Sequence, residues 1–306
     1  MRYDLVSLKL FVAVADCGNL TRAAEREHLA VSAVSKRIAE LEELARAPLL
    51  HRYPRGVGLT PAGQTMLRHA RQVLQGVDRM DAELAEYADG VRGHVHLHAV
   101  ASALYQFLPE EIESFLSTYP GVHISLEEQT GKAVVLAVAN GAADFGIVSA
   151  QTPFAGLVAL PYRADRLAIG VPLGHPLARR KAVRFVDALD YAFVGPHADS
   201  SIAQLMAAGA QGCGKTLVQR VQVSSFDAMC RLVQTRLGIT LLPEAVLRPH
   251  EQAARIRMLR LDETWAVRQM VIVVRDLDAV GHIARSLIDH MQLAAASVSG
   301  PAERPD

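Results

Sequence analysis

The sequence predicts an α/β protein in three parts: an all-α N-terminal winged helix-turn-helix domain, a long linker helix and a two-lobed α/β domain. Three observations predict it. Apolar residues recur at helical spacing through the first 45 residues. Met66, Ala70, Val73, Val77, Met80, Leu84 and Tyr87 then step by four and three alternately, which is a heptad seam. From residue 91 onward short apolar runs alternate with helical segments, and this happens in two successive sets. The expected limits are 1–60 for the first part, 61–90 for the linker helix and 91–298 for the α/β domain. Within the last, lobe I takes 91–164 plus 268–298, lobe II takes 165–267, and 299–306 reads as a flexible tail.

Leu5, Leu8, Phe11, Val12 and Ala15 lie on one helical face, and Gly18 stops that helix. A second helix follows in TRAAEREHL, with Thr21 as its expected N-cap and Ala23-Ala24 small enough for close packing. A third, VSAVSKRIAELEELA, buries Val34, Ile38, Leu41 and Ala45 and presents Ser32, Ser35 and Lys36 outward, with Arg37 beside them. Helix, tight turn, helix with small polar and basic residues on the exposed face is the layout of a helix that enters a DNA groove. PLLHRYPRGVGLTPAG then offers two short extended runs around Tyr53-Pro54-Arg55-Gly56. A hairpin there pushes Arg52 and Arg55 outward as a wing, and arginine is a common anchor in a narrow minor groove.

These stretches together resemble the N-terminal domain of LysR-type transcriptional regulators. The resemblance rests on Thr21, Ala23-Ala24, Val34-Ser35, Ile38, Leu41-Glu42, Pro48-Leu49, Arg52 and Leu59-Thr60-Pro61-Ala62-Gly63. It implies DNA contacts from Thr21, Ser32, Ser35, Lys36, Arg37, Arg52 and Arg55. One departure stands out: the family often has Ser or Thr followed by Gln where this chain has Ala30-Val31. Gln bonds a base edge in bidentate fashion and Val does not, so that contact does not carry over to Val31. Residues 1–60 hold nine Lys/Arg against seven Asp/Glu, so placement of charge rather than net charge has to attract the phosphates.

Thr60-Pro61 is a good helix start, cap then first turn. The seam that follows is expected to pair with a second copy through Met66, Ala70, Val73, Val77, Met80 and Leu84, and linker helices pair in the LysR-type dimers that the chain resembles. Beyond Gly90-Val91-Arg92-Gly93 the runs HVHLHAV, LPEEIESFLSTYP, VHISLEE, KAVVLAVANG and ADFGIVSA read as repeated βα, hence a parallel sheet covered on both faces. A second set runs from DRLAIGV to ITLLP, and QMVIVVRD with AVGHIARSLIDHMQLAAA closes the chain. ADFGIV, GHPLA and LGITLLPEAV continue the resemblance, which implies an effector domain similar to periplasmic binding proteins with two crossings between lobes. These are placed near Pro161–Asp165 and Thr264–Arg268.

Several patterns point elsewhere. GAQGCGKT, Gly209 to Thr216, matches the phosphate-binding loop of nucleotide hydrolases. Its flanks read as helix before and strand after, the reverse of what phosphate binding requires. His94, His96 and His98 share one face of a strand, as metal ligands do, but a half-buried strand face accommodates histidine equally well. Three scattered cysteines, Cys17, Cys213 and Cys230, suggest a reducing compartment, and Cys213 with Cys230 keep a thiol-based redox sensor as an alternative. No catalytic constellation rises above background, no apolar run reaches the roughly 18 residues of a membrane span, and nothing calls for a cofactor.

A ligand in such lobes sits beyond the carboxyl ends of strands, where helix N-termini converge. Ser102, Thr130, Ser200-Ser201 and Ser224-Ser225 meet that rule, although each also reads as an ordinary cap. Hydroxyl donors at helix N-termini favour a carboxylate or similar anion. The sequence thus describes a cytoplasmic regulator, not an enzyme. Its partners are double-stranded DNA, a small-molecule effector, itself as a dimer or tetramer, and RNA polymerase if it activates.

Overall fold

The computed structural model describes residues 3–54, 56–89, 92–278 and 280–298, with the side chains of 75, 78, 79, 81–89, 92 and 298 excepted. Arg55, the side chain of Leu84 and the tail 299–306 therefore lie outside the described residues.

The N-terminal part packs α1 (Leu5–Cys17), α2 (Leu20–Arg26) and α3 (Val31–Ala45) around Phe11, Val14, Ala23, Val34, Ile38 and Leu41. Gly18 ends α1 in the left-handed conformation, φ 59°, where a side chain would be strained. The cap of α2 is Asn19, not Thr21: its Oδ1 accepts from the backbone N–H groups of Thr21 and Arg22. Asn reaches N–H groups two and three residues on, so the helix starts two residues earlier than the Thr signal suggests. Ala30 occupies the N-cap of α3 in extended conformation and offers no side-chain hydrogen bond. Strands β1 (Leu50–Tyr53) and β2 (Gly56–Leu59) form the hairpin wing.

Thr60 Oγ1 accepts from the Gly63 N–H at 2.9 Å and starts α4 (Pro61–Asp89). Gly63 is required there: a Cβ would lie 2.0 Å from the Leu49 carbonyl oxygen. The first turns of α4 pack on α1 and bury Ala70 in the N-terminal core.

The remainder comprises β3 (Arg92–Ala99), α5 (Ala101–Gln106), α6 (Leu108–Thr118), β4 (Gly121–Glu128), α7 (Gly131–Ala139), β5 (Phe145–Ser149) and β6 (Val158–Pro172). Then follow β7 (Ala182–Val183), α8 (Phe185–Ala188), β8 (Phe193–Gly195), α9 (Ser201–Gly212), β9 (Gln219–Gln222) and α10 (Phe226–Gln234). The chain continues through β10 (Thr240–Pro243), α11 (Glu244–Gln252), β11 (Ile256–Leu261), β12 (Val267–Val274) and α12 (His282–Val298).

The sheet is mixed, which corrects the expectation of a parallel one. β4, β3 and β5 run parallel, but β12 is antiparallel to both β5 and β6. The βα rhythm implies parallel neighbours; β6 runs out of the first lobe and β12 runs back into it with no α-helix directly before either, so neither follows that rhythm. α5, α11 and β11 are further elements absent from the sequence reading.

Two apolar cores result. One gathers Leu97, Phe115, Phe145, Ile272, Leu287 and their neighbours. The other gathers Leu167, Ile169, Phe185, Phe193, Met229, Leu241 and Leu259. β6 serves both: Val158–Arg166 pairs with β12, and Leu167–Pro172 pairs with β10 and β11. The crossing thus falls at Arg166/Leu167, a step beyond the expected Pro161–Asp165, and Arg268 lies directly opposite Asp165. In the first core's margin Glu111 is buried, accepting from the Tyr162 hydroxyl at 2.5 Å and from Arg163 Nε at 2.7 Å. Burial holds its carboxyl above the usual carboxylate range. No helix among the described residues is long and apolar enough to cross a membrane.

The uncapped start of α3 yields a prediction. Ala30 already has N-cap backbone angles, φ −70° and ψ 141°. Ala30→Ser is expected to raise the unfolding free energy of the N-terminal domain by about 1 kcal/mol, read from its urea midpoint. An unchanged or lowered midpoint would show that the α3 N-terminus is satisfied in another way.

Candidate functional site

The outward face of α3 forms as its pattern requires. Val34, Ile38 and Leu41 point into the core, while Ser32 and Lys36 are exposed and Ser35 is half-buried. Lys36 reaches Glu40 only at 4.0 Å and keeps 79 % of its side-chain surface in water, so its charge is available. Arg37 also reaches α1 while 41 % of its side chain stays in water: Nη1 lies 3.1 Å from Ser7 Oγ and 3.4 Å from Asp4 Oδ1. The hydrogen bonds from Ser7, with Arg37 adding to them, hold the Asp4 carboxyl below its ordinary range. Arg37 therefore braces α3 against α1. Val31 is 42 % exposed at the helix start, an apolar group on a polar face. Thr21 at the start of α2 and Arg52 on the wing are both exposed.

Between the lobes lies a cavity of about 220 Å³. Ser102, Thr130, Ser200, Ser201 and Ser224 line it, so five of the six hydroxyls singled out from sequence come together. Ser225 does not line it; its hydroxyl caps α10 by accepting from the Ala228 N–H, and its neighbours Ser224 and Phe226 face the space. Thr130 and Ser200 cap α7 and α9 in the same manner, accepting from Ala133 and Ala203 N–H. Glu128, Gln129, His197 and Asp199 form the solvent-facing rim.

Sequence reasoning missed the group beneath this cavity. Arg268 is 1 % exposed and sits where the two crossing strands meet. Its Nε donates to Asp165 Oδ1 at 2.8 Å, and Nη2 meets Asp165 Oδ2. Nη2 also donates to Ser102 Oγ at 3.0 Å in lobe I, and Nη1 to Ser201 Oγ at 3.4 Å in lobe II. Gln106 Nε2 adds a bond to Asp165 Oδ2 at 3.0 Å. One guanidinium thus ties the N-termini of α5 and α9 to the crossing. The sequence signal was faint: a charge at the start of an apolar strand, and a second in the strand 103 residues earlier.

The competing patterns resolve in context. Gly209–Gly212 belong to α9, and β9 follows the loop, so GAQGCGKT reads helix–loop–strand. Lys215 Nζ binds Asp190 Oδ1 at 2.6 Å and the Val186 carbonyl at 3.0 Å, while Gly209 lets Phe185 and Trp265 approach α9. Cys230 is buried and its thiol is pushed up to about 12, chiefly by burial, which disfavours the reactive thiolate. His94 and His96 stack at 4.3 Å, and His94 Nε2 lies 2.7 Å from Ser125 Oγ. Among the described residues no group of three or more His, Cys, Asp or Glu side chains is placed to hold a metal ion.

A winged helix-turn-helix followed by a long helix and a two-lobed domain with an inter-lobe cavity defines a DNA-binding regulator with a ligand-sensing domain. Residues 5–64 match the family described as bacterial regulatory helix-turn-helix protein, lysR family, and residues 88–296 match the LysR substrate binding domain. The chain belongs to the LysR family of transcriptional regulators, with an effector-binding domain behind its DNA-binding one. It is 30% identical over 243 residues to the transcriptional dual regulator GltC of Bacillus subtilis, covering 79% of this chain and 81% of that one. It is 26% identical over 280 residues to the HTH-type transcriptional regulator YbhD of Escherichia coli, covering 92% and 88%. Its fold matches a full-length OxyR variant from Pseudomonas aeruginosa with TM-score 0.74 at 20% identity, covering 99% of each chain. It also matches full-length CbnR in complex with its target DNA, TM-score 0.67 at 21% identity, covering 96% of this chain and 100% of that one.

The buried pair generates a prediction. Removing one partner strands the other charge in the interior, which costs about 3–5 kcal/mol. Arg268→Met and Asp165→Asn are each expected to lower the urea midpoint of the effector-domain transition accordingly, and the double variant to cost clearly less than their sum. Additive losses would show that the two side chains do not act as one unit.

Proposed function

We propose that the chain binds operator DNA as a dimer through Thr21, Ser32, Ser35, Lys36 and Arg52, and that a small anion in the inter-lobe cavity sets its activity. The proposed division of labour is 1–60 for DNA, 61–90 for pairing and 91–298 for the effector, in the cytoplasm, with contact to RNA polymerase if it activates. Thiol sensing is not favoured, because burial keeps Cys230 protonated.

One observation carries the pairing: an apolar groove of about 580 Å³ beside α4, lined by Tyr3, Leu5, Leu8, Leu49, Met66 and Val73 among others. Further along α4 the seam carries Val77, half-buried, and Met80, which is 52 % exposed. Ala70 and much of Met66 are already covered by α1, so the pairing surface is the groove plus the later seam rather than the whole heptad run. A second copy removes that surface from water.

The effector class follows from which lone pairs are occupied. Ser102 and Ser201 accept from Arg268, and Thr130 and Ser200 accept from helix N–H groups. Each hydroxyl therefore has its proton left to donate into the cavity. Donors at the N-termini of α7 and α9 suit a carboxylate. The rim carboxylates Glu128 and Asp199 select against further negative charge on the outward end of the ligand.

The test selects a binding duplex from a random library and measures affinity against salt by fluorescence anisotropy, with sedimentation velocity in parallel. Lys36→Ala/Arg52→Ala is expected to weaken binding and lower the log–log salt slope by about 2, roughly 1 per phosphate contact. Val77→Asp places a charge in the seam and is expected to yield monomers that lose the operator. An unchanged salt slope in the first variant, or a folded, dimeric, fully binding Val77→Asp protein, would sink the respective assignment.

A further inference from the structure

Lobe II has a second cavity at the opposite end of β8 from the effector cleft. The C-terminal end of β8 leads into Pro196 and His197 on the cleft; its N-terminal end is preceded by Tyr191 and Ala192, which line a separate space of about 350 Å³. The turn Pro172–Pro176, Arg220 and the segment Arg236–Ile239 complete the wall.

Its chemistry is one-sided. Arg220 and Arg236 both line it, exposed and without a carboxylate partner among the described residues; Arg166, Arg179, Arg231 and Arg255 of the same lobe also meet none, and what distinguishes Arg220 and Arg236 is that they share one cavity. No acidic residue lines the space. His175 Nδ1 accepts from the Leu177 N–H at 3.2 Å, which assigns the ring proton to Nε2 and makes that edge a donor. Burial holds this imidazole on the neutral side. The Tyr191 ring packs edge-on against it at 4.5 Å. Apolar walls come from Leu173 and Leu237, both left partly in water.

The backbone at Arg236 is fixed by the end of α10. Arg236 closes α10 in a Schellman arrangement, its N–H on the Val233 carbonyl and that of Leu237 on the Leu232 carbonyl. Its φ is +64°, a position where glycine is the usual occupant. Arg46 and Ala254 end α3 and α11 with the same sign of φ, so at Arg236 the turn serves to fix the backbone from which its side chain reaches the cavity.

The geometry points to a second ligand site in lobe II, distinct from the inter-lobe cleft, that takes a small carboxylate with an apolar body. The Arg220 and Arg236 guanidinia bind the carboxylate, with the His175 Nε2–H as a further donor, and the hydrocarbon lies between Leu173, Leu237 and the Tyr191 ring.

The test is a methyl NMR titration of the full chain with hexanoate, and separately with inorganic phosphate. Leu173, Leu237 and Ile239 report this site, while Val100 and Ile202 report the cleft. Saturable shifts at the first group are expected with hexanoate, with affinity lowered about tenfold or more in Arg220→Gln and in Arg236→Gly. Arg236→Gly suits the left-handed backbone and is expected to melt no lower than the parent, so its loss of binding is not a loss of fold. No shifts with hexanoate, undiminished affinity in both variants, or equal affinity for phosphate would each overturn the proposal; the last would mean that the apolar walls take no part.

Discussion

The effector domain depends on one buried ion pair. Asp165 and Arg268 face each other where β6 and β12 run between lobes, and both side chains are removed from water. Such a pair gains little over an apolar substitute, but it is unforgiving of partial loss, because either charge alone is costly to bury. Its specific value is directional. A guanidinium has several donors in a rigid plane, and here they reach the carboxylate, Ser102 of one lobe and Ser201 of the other. A change in the angle between the lobes has to lengthen at least one of these bonds. The floor of the cleft and the crossing between the lobes therefore share one group of atoms.

The cleft's hydroxyls illustrate why a cap and a ligand donor are not rival descriptions. A serine at an N-cap accepts through its oxygen lone pair and retains its proton. Thr130 and Ser200 sit this way in helices from opposite lobes, and Ser102 and Ser201 do the same with Arg268 in place of the backbone. The capping requirement fixes where each oxygen sits, beside the space between the lobes, and leaves its proton free to donate. Ser225 obeys the same capping rule yet does not line the cavity, so position, not residue type, selects among them.

At the N-terminus the same economy of contacts operates. α4 begins as part of the helix-turn-helix core, where Ala70 packs under α1, and only later leaves that core. The groove beside it joins residues of α1, the wing's approach at Leu49 and the first exposed seam position, Val73. The groove is therefore shared by the DNA-binding domain and the linker helix.

Local chemistry was legible in the sequence wherever a single segment settles its own state. The bounds of α3, the Gly18 stop, the Thr60-Pro61 start of α4 and the helix–loop–strand setting of Lys215 follow from periodicity and from caps that act within four residues. The hydroxyls of the cleft were legible because strand ends followed by serine are a local signal. What required tertiary structure was every property involving two distant segments. The antiparallel entry of β12, the exact crossing at Arg166/Leu167 and the turning of Arg37 onto Asp4 depend on which surfaces meet. So does the role of Arg268, whose partners lie 67, 103 and 166 residues away along the chain. Periodicity reports which face of an element is apolar; it does not report what that face, or a charge set within it, will find opposite.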